Sequence, residues 1–254
     1  MIDAILSWSN ALLFFTVVLA FFVKAITGFG QTLVMGSVFS FVLPNTVITP
    51  VDFLLSMPAN AFIAWRERRS VTLKTALPFA LFSVIGLLPG VYLLRMGSDR
   101  LLKAILGLVV VAMAIQVAAG KSGAPVKKRH PAVTVLVGLI SGALIGAFGV
   151  GALTAVYFKN TTRDKHQFRA NTTLVLFLEN ICRLVIYLTT GILNIQVLTL
   201  ALALSPAMAI GLLCGTKLDK YIDERKMKML VVALLIISGS TLFVRSVFFH
   251  GGAL

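Results

Sequence analysis

Long apolar stretches separated by short polar or basic loops run along the whole chain. A helix of about 20 apolar residues is long enough to cross the hydrocarbon core of a bilayer. We expect full spans at 50–65, 75–94, 102–119, 171–190, 196–216 and 229–248. The pattern therefore predicts an all-α, polytopic membrane protein.

Two more apolar segments, one before residue 50 and one at 131–158, are interrupted by glycines. They read TGFGQTLVMGS at 27–37 and GAFGVGALTAV at 146–156. The second segment lies between two basic loops, and as a helix it would reach only about 42 Å, too short to cross the membrane twice. We expect each segment to form a broken, re-entrant hairpin of two short helices that turns at 27–31 or at 147–151. The alternative is one unbroken span at 131–158.

Two parts of the chain share motifs at matching positions. Ile-Gly-Leu-Leu-x-Gly occurs at 85–90 and again at 210–215, and the two glycine-bearing stretches also align with each other. Duplicated helical bundles are the economical explanation. We predict an N-terminal half at 1–119, a basic cytoplasmic linker at 120–130 and a C-terminal half at 131–254.

The charges of equivalent loops differ between the two halves. The basic loop 66–74 aligns with the uncharged stretch 185–193, and the basic loop 217–228 aligns with the less charged 92–103. Equivalent loops are therefore expected on opposite sides of the membrane. This predicts inverted repeats, a common plan among secondary transporters.

The formal net charge of +14 is informative only through the positions of the basic residues along the chain. In a soluble protein such a charge would suggest nucleic acid. Here most of the 23 Lys and Arg residues fall in four short loops, as the positive-inside rule produces on cytoplasmic loops: 66–74, 121–129, 159–169 and 217–228. We expect the lipid bilayer, and no nucleic acid, as a partner. A homodimer stays open, because an apolar helix face looks the same against lipid or a second copy.

The two predicted turns carry groups suited to a small anionic substrate. Glycines can turn the chain and let a ligand approach the backbone, and the helix that follows offers free N–H groups and the positive end of its dipole. Lys24 lies one helical turn before Gly28, where a lone ammonium in hydrocarbon is costly. It should face an anion, unless it snorkels to a surface. The substrate-binding candidates are Lys24, Thr27, Gly28, Gly30, Gln31, Thr32, Asn60, Gly149, Gly151, Thr154, Asn180 and Arg183.

Two acidic residues within the predicted spans are candidates for proton coupling. Glu179 and Arg183 are four positions apart on one helical face and could pair, either to fix helix packing or beside the substrate. Asp52 is the second candidate, and it could instead cap the start of its helix after Pro50.

Several other features point to structure rather than chemistry. Glycines at four-residue spacing are expected to pack helices: Gly86 and Gly90, Gly138, Gly142 and Gly146, and Gly211 and Gly215. The two cysteines and three histidines indicate neither a disulfide framework nor a metal site. We expect no cofactor, and no catalytic motif indicates an enzyme.

The glycine-bearing openings GFGQTLVMGSVFSFVLP and GAFGVGALTAVYF, together with the stretch from Met57 to Gly107, resemble the sulfite exporter TauE/SafE family, also called the 4-toluene sulfonate uptake permease family. The resemblance covers nearly the whole chain. It implies a carrier of small sulfur-containing anions, such as sulfite, sulfoacetate or another organosulfonate, in the bacterial plasma (inner) membrane.

We therefore expect a secondary transporter that works by alternating access, with one half rocking against the other around a central site. Whether a proton moves with the anion depends on Glu179 or Asp52. The alternatives are an anion channel, a carrier of a small carboxylate without sulfur, and an intramembrane enzyme or assembly factor.

Overall fold

The computed structural model describes residues 2–40, 42–96, 130–159 and 161–221. Within these ranges the regular structure is helical, with short 3-10 turns at Arg68–Ser70 and Asp219–Tyr221. The α-helices are α1 (Ile2–Thr27), α2 (Gln31–Phe39), α3 (Asn45–Arg66), α4 (Leu73–Met96), α5 (Pro131–Phe148), α6 (Ala152–Lys159), α7 (Lys165–Thr190) and α8 (Ile195–Leu218).

Six of the described helices, α1, α3, α4, α5, α7 and α8, are long and apolar enough to cross a membrane. Four of them confirm the spans expected at 50–65, 75–94, 171–190 and 196–216. The spans expected at 102–119 and 229–248, and nearly all of the linker 120–130, lie outside the described residues.

Both predicted helix breaks are present. Helix α1 ends at Thr27 and α2 begins at Gln31, with Gly28 at a φ of 83° and Gly30 at a φ of 94° between them. Helix α5 ends at Phe148, Gly149 has a φ of 74°, and α6 begins at Ala152. These left-handed φ values are ones that only glycine adopts without strain. The glycines therefore cause the turns.

The returning arms run back beside the first arms. Ser141 of α5 and Thr154 of α6 are joined by a 2.6 Å hydrogen bond between their hydroxyls, and Thr134 and Tyr157 by one of 2.9 Å. An unbroken span at 131–158 is therefore wrong. The expectation of two short helices is also wrong for the first arms, which have 26 residues in α1 and 18 in α5. The reason is that the glycines lie near the C-terminal end of each apolar segment.

In the membrane-spanning part of α7, the charged and amide side chains lie inside, and several large apolar side chains lie outside. Glu179, Asn180 and Arg183 are buried, whereas Val185 and Leu188 are 59% and 64% exposed. A soluble protein would show the reverse pattern. This arrangement fits a helix that meets lipid on one face and a polar interior on the other.

Glycine seams hold α5 against α4 and α8 against α1. A Cβ atom at Gly142 would overlap the backbone carbonyl of Ser83, and one at Gly211 would overlap that of Val18. Backbones approach this closely in membranes where small residues allow it. The expected packing role of these glycines is confirmed, and each seam joins a helix of the first half to one of the second.

The seams also show helix direction. Gly138 and Gly146 lie against Phe79 and Leu87 respectively, so positions advance together along α5 and α4, and the two helices are parallel. The relation of the halves as inverted repeats stays a prediction, as do the exact borders of the halves.

Replacing Gly142 by alanine is expected to destabilise the protein. The added Cβ atom would meet the Ser83 carbonyl, which belongs to the α4 backbone and cannot rotate away. Overpacking of this kind costs about 1–3 kcal/mol, and we expect the melting temperature in detergent to fall by several degrees. Gly36→Ala is the control, because a Cβ atom there has nothing within 4 Å. Equal melting temperatures for the two variants would contradict the seam.

Candidate functional site

A buried polar cluster lies where the first helix break meets α3 and α7. The Lys24 side chain, in the last turn of α1, is fully buried, and its Nζ donates a 3.0 Å hydrogen bond to Gln31 Oε1. The Gly28–Gly30 turn brings Gln31, the first residue of α2, back to Lys24. The snorkelling alternative for Lys24 is therefore wrong, because the ammonium points across the break and not toward a surface.

Thr32 joins the two helix breaks. Its Oγ1 accepts a 3.1 Å hydrogen bond from Gln31 Nε2, and it lies 2.7 Å from Asp52 Oδ2 and 2.9 Å from the carbonyl oxygen of Gly149. Asn45, at the start of α3, adds a longer contact of 3.4 Å from its Nδ2 to the Ala147 carbonyl. The structure thus brings the predicted turns of both halves into direct contact.

Asp52 lies inside α3, where its carboxyl faces the cluster. The helix begins at Asn45, with Pro44 as its N-cap, so the expectation that Asp52 caps the helix is wrong. One oxygen, Oδ1, is buried without a hydrogen-bond partner in the described part of the chain. The charges of Lys24 and Arg183 both act on this carboxyl.

Arg183 of α7 is held by aromatic side chains. Its Nη2 donates a 2.6 Å hydrogen bond to the Tyr187 hydroxyl, and its guanidinium lies 5.1 Å from the Tyr187 ring centre and 5.3 Å from that of Phe53. Such cation–π contacts are strongest when water is excluded, and Arg183 is only 1% exposed. Its Nε has no hydrogen-bond partner among the described residues.

Glu179 does not pair with Arg183, so that interpretation is wrong. Ser83 Oγ of α4 donates to Glu179 Oε1, and Oε2 is buried without a hydrogen-bond partner in the described structure. The charge of Arg183 still acts on the Glu179 carboxyl. The spacing along α7 permits an ion pair, but the Glu179 side chain turns toward α4.

The other candidates fall into two groups. Asn180 and Asn60 are buried near the polar face of α3: Asn180 Nδ2 donates to Ser56 Oγ at 3.4 Å, and Asn60 Oδ1 has no hydrogen-bond partner among the described residues. Thr27, Gly28, Gly151 and Thr154 support the helix breaks. Thr27 Oγ1, for example, donates to a backbone carbonyl, and a Cβ atom on Gly151 would meet Leu176.

Sequence reasoning missed Ser83, Phe53 and Tyr187, which contact the charged groups directly. A signal was present for Tyr187, because it follows Arg183 by four positions on a helical face. No comparable sequence signal marked Ser83 or Phe53, which each lie within an apolar span. Among the described residues, no group of three His, Cys, Asp or Glu side chains could hold a metal ion.

A second buried polar group, here called the Arg169 network, was also missed. Arg169 of α7 is 2% exposed, and its Nη1 and Nη2 donate 2.9 Å hydrogen bonds to the Ala25 carbonyl of α1 and to Asp219 Oδ2. Its Nε lies 3.6 Å from Glu67 Oε1. His166 contacts Glu67 at 3.0 Å and Lys165 contacts Asp219 at 3.9 Å, which completes the network.

The Arg169 network ties together the ends of helices from both halves. Glu67 follows the last residue of α3, Asp219 follows α8, and Ala25 lies in the last turn of α1. These ends adjoin the basic loops 66–74, 159–169 and 217–228. The network therefore packs the protein on the side of the basic loops, next to the first helix break.

Comparison with known protein families gives a match over most of the chain. The family model described as Sulfite exporter TauE/SafE matches residues 13–242, nearly the whole chain. Searches of curated proteins and of solved structures return no significant match. With its apolar helices and its polar interior, the chain is a multi-pass membrane protein that belongs to the sulfite exporter TauE/SafE family of membrane transporters.

Proposed function

We propose that the protein is a secondary transporter that moves a small sulfur-containing anion across the bacterial inner membrane by alternating access, accompanied by a proton. The substrate class is sulfite, sulfoacetate or another organosulfonate. The observation that carries the proposal is a pair of buried cations, Lys24 of the first half and Arg183 of the second, without a carboxylate contact in the described structure.

Neither cation is in contact with a carboxylate in the described structure, although the charge of each acts on Asp52. Lys24 contacts the neutral amide of Gln31, and Arg183 contacts the neutral hydroxyl of Tyr187. Removing an ion from water costs several kcal/mol unless an opposite charge and hydrogen bonds offset the loss. An anion bound to both cations, with the accompanying proton on a neighbouring acid, would supply both.

The donors around the cluster suit an oxyanion with several oxygen atoms. A guanidinium offers N–H groups in a planar fork, and an ammonium acts as a compact charge. The first turns of α2 and α6 begin at the two breaks, so their free N–H groups can add hydrogen bonds to an anion bound there. Gln31, whose side-chain amide contacts Lys24 and Thr32, is the neutral donor beside them.

Sulfite counterflow in proteoliposomes tests this proposal. We expect unlabelled sulfite inside the vesicles to accelerate entry of labelled sulfite, taurine and other sulfonates to compete, and acetate to compete weakly. Lys24→Ala should lower the exchange rate at least tenfold, because a carbon side chain cannot offset the charge of the anion. Lys74→Ala is the matched control, since Lys74 is exposed at the start of α4.

Three results would contradict the proposal. Absence of exchange with every sulfur oxyanion would remove the substrate class. Exchange driven by acetate alone would favour a carboxylate carrier. Flux without acceleration by internal substrate would favour a channel.

A further inference from the structure

We infer that Asp52 binds the coupled proton, and that this proton holds the two helix breaks together through the Thr32 hydroxyl and the Gly149 carbonyl. The inference rests on the proposed function, since it identifies which group in that site takes up and releases the proton. The contacts of Thr32 and the buried charged side chains around it support the inference.

The hydrogen bonds of Thr32 require one proton more than the hydroxyl owns. Its Oγ1 lies within hydrogen-bond distance of two acceptors, Asp52 Oδ2 at 2.7 Å and the Gly149 carbonyl at 2.9 Å. A hydroxyl has a single proton to donate. With Asp52 ionised, one of the two contacts therefore brings two acceptor oxygens together without a proton between them.

Protonation of Asp52 satisfies every contact. The carboxyl then donates from Oδ2 to Thr32 Oγ1, and Thr32 donates its own proton to the Gly149 carbonyl. The amide of Gln31 donates to the second lone pair of Oγ1. The other carboxyl oxygen, Oδ1, has no hydrogen-bond partner in the described structure, which a neutral carboxyl tolerates far better than a buried carboxylate.

The charges of the polar cluster, counted apart from the Arg169 network, also favour a proton that enters with the anion. Lys24 and Arg183 carry two positive charges, and Asp52 and Glu179 carry two negative charges when ionised. An anion that entered this balanced set would leave the interior with a net negative charge, which is costly away from water. A proton taken up with the anion removes at least part of that excess.

Asp52 is better placed than Glu179 for this role. The groups that face Asp52 are Lys24 of α1, Gln31 and Thr32 of α2, and Arg183 and Tyr187 of α7. The charges of both cations therefore act on Asp52, which also contacts Thr32, the link between the breaks. Glu179 instead contacts Ser83 on α4.

Release of the proton would open the link. When water accepts the Asp52 proton, the carboxylate left behind is the stronger acceptor and takes the Thr32 proton as its hydrogen bond. The Gly149 carbonyl then loses its donor, and the two breaks are free to separate. Uptake of a proton from water restores the O–H bond on Asp52 and the link.

Transport driven by a pH gradient provides the first test. In the same proteoliposomes, uptake driven by an imposed pH gradient is compared with exchange at equal pH on both sides. We expect the ratio of driven uptake to exchange to fall at least tenfold in Asp52→Asn, since asparagine can donate to Thr32 but cannot release a proton. The ratio should stay within about twofold of wild type in Asp164→Asn, which makes the same change at an exposed aspartate that caps α7.

Infrared spectroscopy of the purified full chain provides a second test that does not depend on transport. The wild type at neutral pH should show the carbonyl band of a protonated carboxyl, and Asp52→Asn should remove intensity from it. Thr32→Val should shift the Asp52 band, because it removes the hydroxyl that accepts from the carboxyl.

The outcomes separate the two proposals. A wild type that exchanges sulfite but ignores the pH gradient, an Asp52→Asn variant that keeps the wild-type ratio, or a carboxyl band unchanged by that substitution would each overturn the assignment of the proton and leave the anion carrier standing. A wild type that exchanges no sulfur oxyanion would overturn both.

Discussion

Sulfite exchange should fall at least a hundredfold when Arg183 is replaced by glutamine. The substitution removes a buried guanidinium whose Nε has no hydrogen-bond partner in the described structure. It also removes one of the two positive charges of the cation pair, the one that the second half provides. A hundredfold loss corresponds to about 3 kcal/mol, the lower end of the range for removing one member of a buried charge pair. Counterflow rates in proteoliposomes measure the effect.

Arg183→Lys separates charge from geometry. Lysine restores the positive charge but not the planar fork or the contact across two rings, so we expect an intermediate rate and a raised KM for sulfite. Arg163→Gln is the matched control, because Arg163 is exposed between α6 and α7. Exchange by Arg183→Gln within threefold of the control would exclude Arg183 from anion binding.

Replacing Arg169 by methionine should strongly destabilise the protein. Methionine keeps an unbranched apolar stem but leaves Glu67 and Asp219, which are 8% and 7% exposed, without their shared cation. Breaking a buried ion pair from one side costs about 3–5 kcal/mol, and we expect the melting temperature in detergent to drop by ten degrees or more.

Lys165→Met is a close control for this prediction. It removes a contact to the same Asp219 from the same helix, but its side chain is 36% exposed and the distance is 3.9 Å. A partly exposed pair contributes at most about 1 kcal/mol. Adding Glu67→Gln and Asp219→Asn to Arg169→Met should restore part of the lost stability, because no buried charge then remains unpaired. Equal effects of Arg169→Met and Lys165→Met would contradict the network.

Backbone features were the part of this protein that the sequence predicted well. The breaks at Gly28 and Gly149 and the seams at Gly86 and Gly142 follow from local physics: glycine adopts left-handed φ values and lets helices touch. Both effects depend on the residue itself. The lengths of the hairpin arms were predicted less well, because hydropathy does not show how far an apolar helix continues before it turns.

Side-chain partners were predicted poorly. Glu179 and Arg183 have the spacing of an ion pair, yet each contacts a neutral hydroxyl instead, Ser83 or Tyr187. That choice depends on neighbouring helices whose rotation is not encoded locally. Arg169 was grouped with the loop charges that set topology, although the acids Glu67 and Asp219 near otherwise basic loops were a usable sign of buried partners.

The glycine seams bear on which parts of the protein can move as units. Helix α1 is locked to α8 and α4 to α5 by backbone contact, and each of these pairs takes one helix from either half. A rocking motion of one half against the other would have to shear both seams at once. Among the described helices, the stiff units are therefore the two mixed pairs. The short arms α2 and α6, which like α3 and α7 lie outside both seams, can shift around the proposed anion without shearing either seam.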